Sequence, residues 1–319
     1  MADRGPTGGV ISSACSVAAL QVFDRLVARC RDLPRAPFAV VAPTTDVALS
    51  GAMSAASAGL IDPILVGDER IIRALGSKLG VDLAKVQVVD APDDADAARV
   101  AVTLCREGKA RGLMKGSLHT DALMHAVLDA GAGLRTARRV SHVFVIDAPA
   151  YPRPLLVTDA AINIYPTLDD KVDIAKNAIE LAHALGILTP NVAILSAVET
   201  VSSKITSTLD AAALCKMADR RQITGAVLDG PLAFDTAVSA EAAAIKELRS
   251  PVAGVADVLL VPDLESGNML AKQLEYLGGA ELAGVVLGAR VPIVLTSRSD
   301  SARARLASCA VAVLRAATG

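Results

Sequence analysis

Ten short apolar runs recur along the chain, at residues 38–41, 63–66, 86–89, 111–114, 143–146, 155–158, 192–195, 226–228, 258–261 and 292–295, and most of the intervals between them can hold a helix. Helical periodicity fills several of those intervals. Leu123, Met124, Val127 and Leu128 fall on one helical face, as do Val172, Ala175, Ile179 and Ala182. Such alternation predicts parallel α/β architecture, in which strands buried on both faces read as continuous apolar segments. The composition fits: 52% of residues are hydrophobic but only 2% aromatic, and Trp is absent, so the core must be assembled from Ala, Val, Leu and Ile. At 319 residues the chain exceeds the size at which a single core keeps growing, which favours two domains.

Charge and cysteine usage exclude several function classes. Thirty-two Lys and Arg against 34 Asp and Glu leave a formal net charge of -2, with no basic field to draw in nucleic acid or an anionic membrane. The five cysteines, Cys15, Cys30, Cys105, Cys215 and Cys309, are scattered, with no CxxC pair and no His at metal-ligand spacing, and read as reduced thiols of a cytoplasmic protein. No apolar run approaches the roughly 18 residues a membrane span needs. Residues 10–23 are faintly signal-like, but Ser12, Ser13, Ser16 and Gln21 dilute them, and an amphipathic first helix is the preferred reading. Neither a fixed-period repeat nor a low-complexity linker is present.

Because ligands in α/β folds bind at the carboxyl ends of strands, the loops after the apolar runs are where chemistry is sought. The last run ends at Thr296-Ser297-Arg298-Ser299-Asp300-Ser301 and is followed by a helical pattern from Ala302, so hydroxyls, a guanidinium and backbone N–H groups converge as an anion site at a helix start. Lys115, Gly116, Ser117, His119 and Thr120 form a second polar loop after the run ending at Met114; it either holds a phosphate or carboxylate, or Thr120 merely caps the next helix while Lys115 is solvated. Arg135, Arg138 and Arg139 crowd a third segment, where arginine can clamp phosphate at two points or simply be solvated. Asp159 and Asn163 follow a fourth run, with Asn163 open to reading as a turn former, and Asp229-Gly230-Pro231 reads as a tight turn.

Ser266, Gly267 and Asn268 precede a helix with Leu270, Leu274 and Leu277 on one face, where a nucleotide or pantetheine chain could lie. Thr167 and Asp170 make a capping-box pattern, with Gly186 as the stop for the same helix. Among the histidines, His183 falls inside a helical pattern and reads as structural, whereas His119 lies in a glycine-containing loop. GxxxxGK[ST], GxGxxG, HExxH and GxSxG motifs are all absent, which withdraws support from P-loop ATPase, Rossmann dehydrogenase, zinc protease and α/β-hydrolase chemistry.

Taken in order, KGSLHTDALM from Lys115, LRTARRVSHVFVID from Leu134, VTDAAINIYP from Val157, LSAVETV from Leu195, DGPLAFDTAVS from Asp229, PDLESGNMLAK from Pro262 and TSRSDSA from Thr296 resemble the phosphate acetyltransferase and phosphate butyryltransferase family. The resemblance runs from about Val40 to the C-terminus and leaves only the first helix uncovered. It implies reversible transfer of a short acyl group between coenzyme A and phosphate in a ternary complex, giving acetyl or butyryl phosphate. It also implies two mostly parallel α/β domains of the isocitrate/isopropylmalate dehydrogenase type with a cleft between them, domain one at residues 1–142 plus 290–319 and an inserted, dimerising domain two at 143–289. CoA and phosphate are then substrates, no metal or permanent cofactor is required, and the expected assembly is a homodimer.

The resemblance assigns Ser297 and Arg298 to a clamp over the carbonyl and phosphoryl oxygens. Lys115, Ser117, His119, Thr120, Arg135, Arg139 and Asn163 fall to phosphate or acyl binding, and Ser266, Gly267 and Asn268 to CoA binding. Two departures stand out. The acetyltransferase branch has an aspartate where this chain has Ala304, so Asp300 is the nearest candidate base for the CoA thiol, although Asp300 or Ser301 could equally cap the following helix. The arginine of the acetyltransferase segment after the HST loop is replaced by Met124-His125-Ala126-Val127, so Arg135 or Arg139 must supply that cation. Rival readings are a metal-dependent decarboxylating dehydrogenase of similar architecture, which would need an aspartate cluster beyond Asp169 and Asp173, and a non-catalytic acyl-CoA or acyl-phosphate sensor.

Overall fold

Strand and helix alternate throughout the computed structural model, which describes residues 22–296 and 300–318. The order is α1 (Val22–Cys30), β1 (Ala36–Val41), α2 (Asp46–Ser57), β2 (Ile61–Gly67), α3 (Glu69–Leu79), β3 (Gln87–Asp90), α4 (Asp94–Arg106), β4 (Gly112–Lys115), α5 (Thr120–Val127), β5 (Ser141–Asp147), β6 (Leu155–Thr158), α6 (Leu168–Ala184), β7 (Asn191–Leu195), α7 (Thr206–Asp219), β8 (Val227–Leu232), α8 (Phe234–Val238), α9 (Ala240–Ile245), β9 (Val258–Leu260), α10 (Leu264–Tyr276), β10 (Glu281–Leu287), β11 (Ile293–Val294) and α11 (Ala302–Ala317). Each of the ten apolar runs overlaps a strand. Of the expected first helix, only the end from Val22 lies within the described residues, where Val22, Phe23, Leu26 and Cys30 are buried.

The strands form one sheet in the order β3-β2-β1-β4-β11-β10-β5-β6-β9-β7-β8. Pairing is parallel in the wing from β3 to β11 and in the wing from β6 to β8. Between them β11·β10, β10·β5 and β5·β6 are antiparallel. Strand β10 is not marked by the apolar pattern, because Glu281 opens it and Gly284 interrupts it. Gly284 is required there: a Cβ would lie 2.9 Å from both the His142 ring and the Leu295 carbonyl. The Asp229-Gly230-Pro231 segment is not a turn but part of β8. This strand sits at the sheet edge beside a register shift, where proline's missing N–H is tolerated.

Helices cover both faces, but unequally. On one face a single apolar core runs across both wings, joining α1, α2, α6, α7 and α11. On the other face the core divides into one cluster under α4 and α5 and another under α8 to α10. On that second face the central antiparallel strands mark the border between the two clusters.

Helix ends follow local chemistry in most cases. Thr167 and Asp170 form the expected capping box, and Gly186, at φ +91°, follows the last turn of α6. Thr120 does not cap α5; it is the first helical residue, and the capping position is His119, whose side chain makes no capping bond. Leu128 and Leu277 fall at C-cap positions, where the chain leaves the helical face, so Leu277 is 85% exposed rather than packed with Leu270 and Leu274.

Candidate active site

Because β1, β4 and β11 are parallel neighbours, with Val41 opposite Lys115 and Met114 opposite Val294, their following loops emerge at one edge of the sheet. The loop after β4 is bolted to the end of β1. The Gly116 amide donates to the Val41 carbonyl at 2.8 Å and the Ser117 amide to the Ala42 carbonyl at 2.9 Å. Ser117 Oγ also donates to the Ala42 carbonyl, at 2.7 Å, and lies 2.5 Å from Thr44 Oγ1. With its single proton given to Ala42, Ser117 must accept from Thr44. Only glycine fits at position 116, since a Cβ would sit 2.3 Å from the Val41 carbonyl oxygen.

These loops enclose a cavity of about 390 Å³. Val47, Ala48 and Met114 give it an apolar wall, and Thr45, Lys115, Ser117, Thr296 and Arg305 a polar one. Lys115 is half-buried rather than solvated, and its Nζ donates to the carbonyls of Gly116 and Leu118 at 3.3 and 3.0 Å. Ser297 and Arg298 lie outside the described residues; Thr296, just before them, lines the cavity. Ser301 is the N-cap of α11, its Oγ accepting from the Ala304 amide at 3.0 Å, so Asp300 is not used as the cap. Ala304 is 7% exposed, in the first turn of that helix.

The remaining candidates separate into distinct places. Arg135, Arg139 and Asn163 line a second cavity, of about 520 Å³, which shares no lining residue with the first. Arg139 is held there by Nε donating to Asn163 Oδ1 at 2.7 Å and by Asp170 at 3.5 Å. Asn163 is itself 4% exposed and braced, its Nδ2 donating to the Val140 carbonyl at 2.9 Å and to Asp159 Oδ2 at 2.6 Å. Buried Asp159 also accepts from the amides of Ala161, Ile162 and Asn163. Arg138 instead pairs with Glu180. His119 is exposed and, like Thr120, lines neither cavity.

At the start of α10, Asp263 already caps the helix, accepting from the Ser266 amide at 2.8 Å. Ser266 Oγ donates back to the Asp263 carbonyl and Asn268 Nδ2 to the Ala160 carbonyl at 3.2 Å. The close approach that Gly267 permits is that of the chain's own loop, since a Cβ would lie 2.9 Å from the Asp159 carbonyl. Ser266, Gly267 and Asn268 thus abut the 159–163 loop rather than the cavity at Lys115.

His142, beneath this region on β5, is 2% exposed, packs edge-on to Phe144 at 4.4 Å and leaves Nδ1 without a hydrogen-bond partner. Loss of hydration pushes its pKa down to about 4, against an opposing pull from Asp159. The imidazole is therefore neutral at physiological pH.

Thr45 and Arg305 are cavity residues that no sequence motif singles out, and Thr44 joins them through its bond to Ser117. The threonine pair follows the first apolar run after Ala42 and Pro43, and the strand-end rule applied there would have found it. Arg305 carries no local signal. Among the described residues no group of three or more His, Cys, Asp or Glu could hold a metal ion, and no helix is long and apolar enough to cross a membrane.

A sequence model described as phosphate acetyl/butaryl transferase matches residues 91–313. A phosphate acetyltransferase of Rhizobium meliloti is 59% identical over 295 residues, covering 92% of this chain and 93% of that protein. A phosphate butyryltransferase of Clostridium acetobutylicum is 40% identical, covering 92% of this chain and 98% of that protein. The crystal structure of a branched-chain phosphotransacylase from Enterococcus faecalis superimposes with a TM-score of 0.78 at 31% identity, covering 88% of this chain and 99% of that one.

Proposed function

The chain belongs to the phosphate acetyl/butyryl transferase family, and from that premise we propose how its own residues carry the acyl transfer. CoA thioester and phosphate are the substrates: a phosphate oxygen attacks the thioester carbonyl, the C–S bond breaks, and acyl phosphate and the CoA thiol result once the sulfur takes a proton. We assign this step to the cavity at the ends of β1, β4 and β11. The observation that carries the assignment is its division into an apolar wall of Val47, Ala48 and Met114 and a polar wall with Lys115, Ser117 and Arg305, which suits a short acyl chain joined to an anionic reacting centre.

Ser297 and Arg298 clamp the developing oxyanion, supported by the cavity position of Thr296 immediately before them. Asp300, released from capping by Ser301, exchanges the thiol proton. His119 and Thr120 complete the anion loop begun by Lys115 and Ser117. Arg135 and Arg139 bind phosphate groups, with Asn163 aiming Arg139, and Ser266, Gly267 and Asn268 contact CoA. The cleft follows the division between the cluster under α4 and α5 and the cluster under α8 to α10, with domain one at 1–142 plus 290–319 and domain two at 143–289.

Two such chains form a dimer through domain two. Among the described residues, ten of the 13 large exposed hydrophobic side chains, including Ile245, Met269, Tyr276 and Leu277, lie between positions 164 and 277, a concentration that a partner surface explains. A cytoplasmic location accords with Cys30, Cys105, Cys215 and Cys309 all being unpaired thiols. The decisive assay follows CoA release from acetyl-, propionyl- and butyryl-CoA with and without phosphate. Phosphate-dependent release with at least one of them is expected, and phosphate-independent hydrolysis or no release from any would refute the assignment.

A further inference from the structure

The same strands that end at the acyl-transfer cavity begin at another. Arg111 immediately precedes β4, whose last residue is Lys115, and Arg290 lies shortly before β11, which leads to Thr296. On α11, Arg305 faces the acyl-transfer cavity and Arg315 this other one. At about 3.3 Å per strand residue and 1.5 Å per helical residue, the two cavities stand some 13–15 Å apart, at opposite ends of the same elements.

This cavity at the strand starts, of about 360 Å³, is lined by Arg111, Arg290 and Arg315 together with the rest of residues 287–292, and by no acidic residue. Arg315 is neutralised by Glu180 at 2.9 Å. Arg111 donates to the Ala316 carbonyl at 2.7 Å, a bond that leaves its charge uncompensated by a carboxylate. Arg290 is exposed, and its guanidinium makes no hydrogen bond or ion pair with a described residue. Among the described residues, then, no carboxylate pairs with either of two guanidinium charges that face one concave site, and guanidinium groups recognise oxyanions at two points.

We propose that this cavity is a binding site for a polyanion, a molecule bearing at least two phosphate or carboxylate charges, separate from the site of acyl transfer. The segment that would hold it is tied to the loop carrying Arg135 and Arg139. Arg290 N donates to the Leu134 carbonyl at 2.9 Å, Thr136 Oγ1 donates to the Gly288 carbonyl at 2.7 Å, and Arg135 bridges Ala289. An occupant thus rests against both the base of β11 and the 134–139 loop.

The test is calorimetric titration of the full chain with tripolyphosphate and, separately, citrate, in buffer without CoA or phosphate, on the original protein and on Lys115→Met, whose substitution reports binding in the acyl-transfer cavity instead. Saturable binding of at least one of them is expected, unchanged in Lys115→Met, weakened about 10-fold or more in Arg290→Gln and retained better in Arg290→Lys, with turnover of both Arg290 variants in the absence of tripolyphosphate and citrate equal to the original. Which of the two anions binds more tightly identifies phosphate or carboxylate as the recognised group. Absence of saturable binding by both, or binding unchanged in Arg290→Gln, overturns the proposal. So does binding lost in Lys115→Met, or a parallel loss of turnover in Arg290→Gln without tripolyphosphate or citrate, either of which would place the anion in the acyl-transfer cavity instead.

Discussion

Replacing Gly116 with alanine tests whether the loop after β4 must be seated on β1. The new Cβ would lie 2.3 and 2.4 Å from the carbonyl oxygens of Val41 and Ala42, which are backbone atoms inside the sheet edge and cannot turn aside. A carbon normally approaches an oxygen no closer than about 3.3 Å, so the loop must retreat by about 1 Å. That retreat stretches the bonds from Gly116 N, Ser117 N and Ser117 Oγ, now at 2.8, 2.9 and 2.7 Å, past the hydrogen-bonding range. At about 0.5–1.5 kcal/mol each, their loss destabilises the fold by about 2–4 kcal/mol. The same displacement moves Ser117 and Lys115 within the cavity, for which a drop of about 100-fold in kcat/KM is expected. Urea unfolding followed by circular dichroism and the CoA-release assay read the two effects separately. Ser117→Ala keeps both amide bonds and should cost only about 1 kcal/mol. A Gly116→Ala protein within about 0.5 kcal/mol of the original and with undiminished turnover would refute the reasoning.

Other consequences can be checked independently. Because burial depresses the His142 pKa from 6.5 to about 4, the unfolded chain takes up a proton over that interval that the folded chain refuses, so stability is full above pH 6.5 and falls as pH drops toward 4. His142 accounts for up to about 1.4 kcal/mol per pH unit of that slope; His142→Gln should flatten it, and identical slopes would contradict the assignment. Asp159→Ala strips the acceptor from three backbone amides and Asn163 Nδ2, and should cost about 3–5 kcal/mol in urea unfolding while raising KM through the loosened Arg139; a loss below about 1 kcal/mol would show that the network is not structural. Burial pushes the thiols of Cys30 and Cys215 up to about 11 and those of Cys105 and Cys309 up to about 12. In a Cys15→Ser background, a thiol reagent at pH 8 should therefore label these four only on unfolding, and rapid labelling of the native protein would show otherwise.

The strands were readable because those buried on both faces are uninterrupted apolar runs, and the pattern failed where a tertiary contact overrode it. Gly284 breaks the apolar content of β10 to admit the His142 ring, and Pro231 mimics a turn that an edge position makes unnecessary. The loops at Lys115 and Thr296 were visible because small polar residues abruptly end apolar runs. Thr45 was hidden by a second role, since its Oγ1 also caps α2 by accepting from the Ala48 amide at 3.4 Å. Arg305 and the separation of Arg135 and Arg139 from Lys115 are products of strand order and helix placement, which no local spacing encodes.

The most direct measurement compares phosphate-dependent CoA release by the original protein with that of Lys115→Met and Arg298→Ala, each verified as folded by circular dichroism. The strand-end cavity as the seat of acyl transfer predicts that acyl phosphate forms in step with CoA and that each substitution lowers kcat/KM by about 100-fold or more. Turnover that survives both substitutions intact would place the chemistry elsewhere in the molecule.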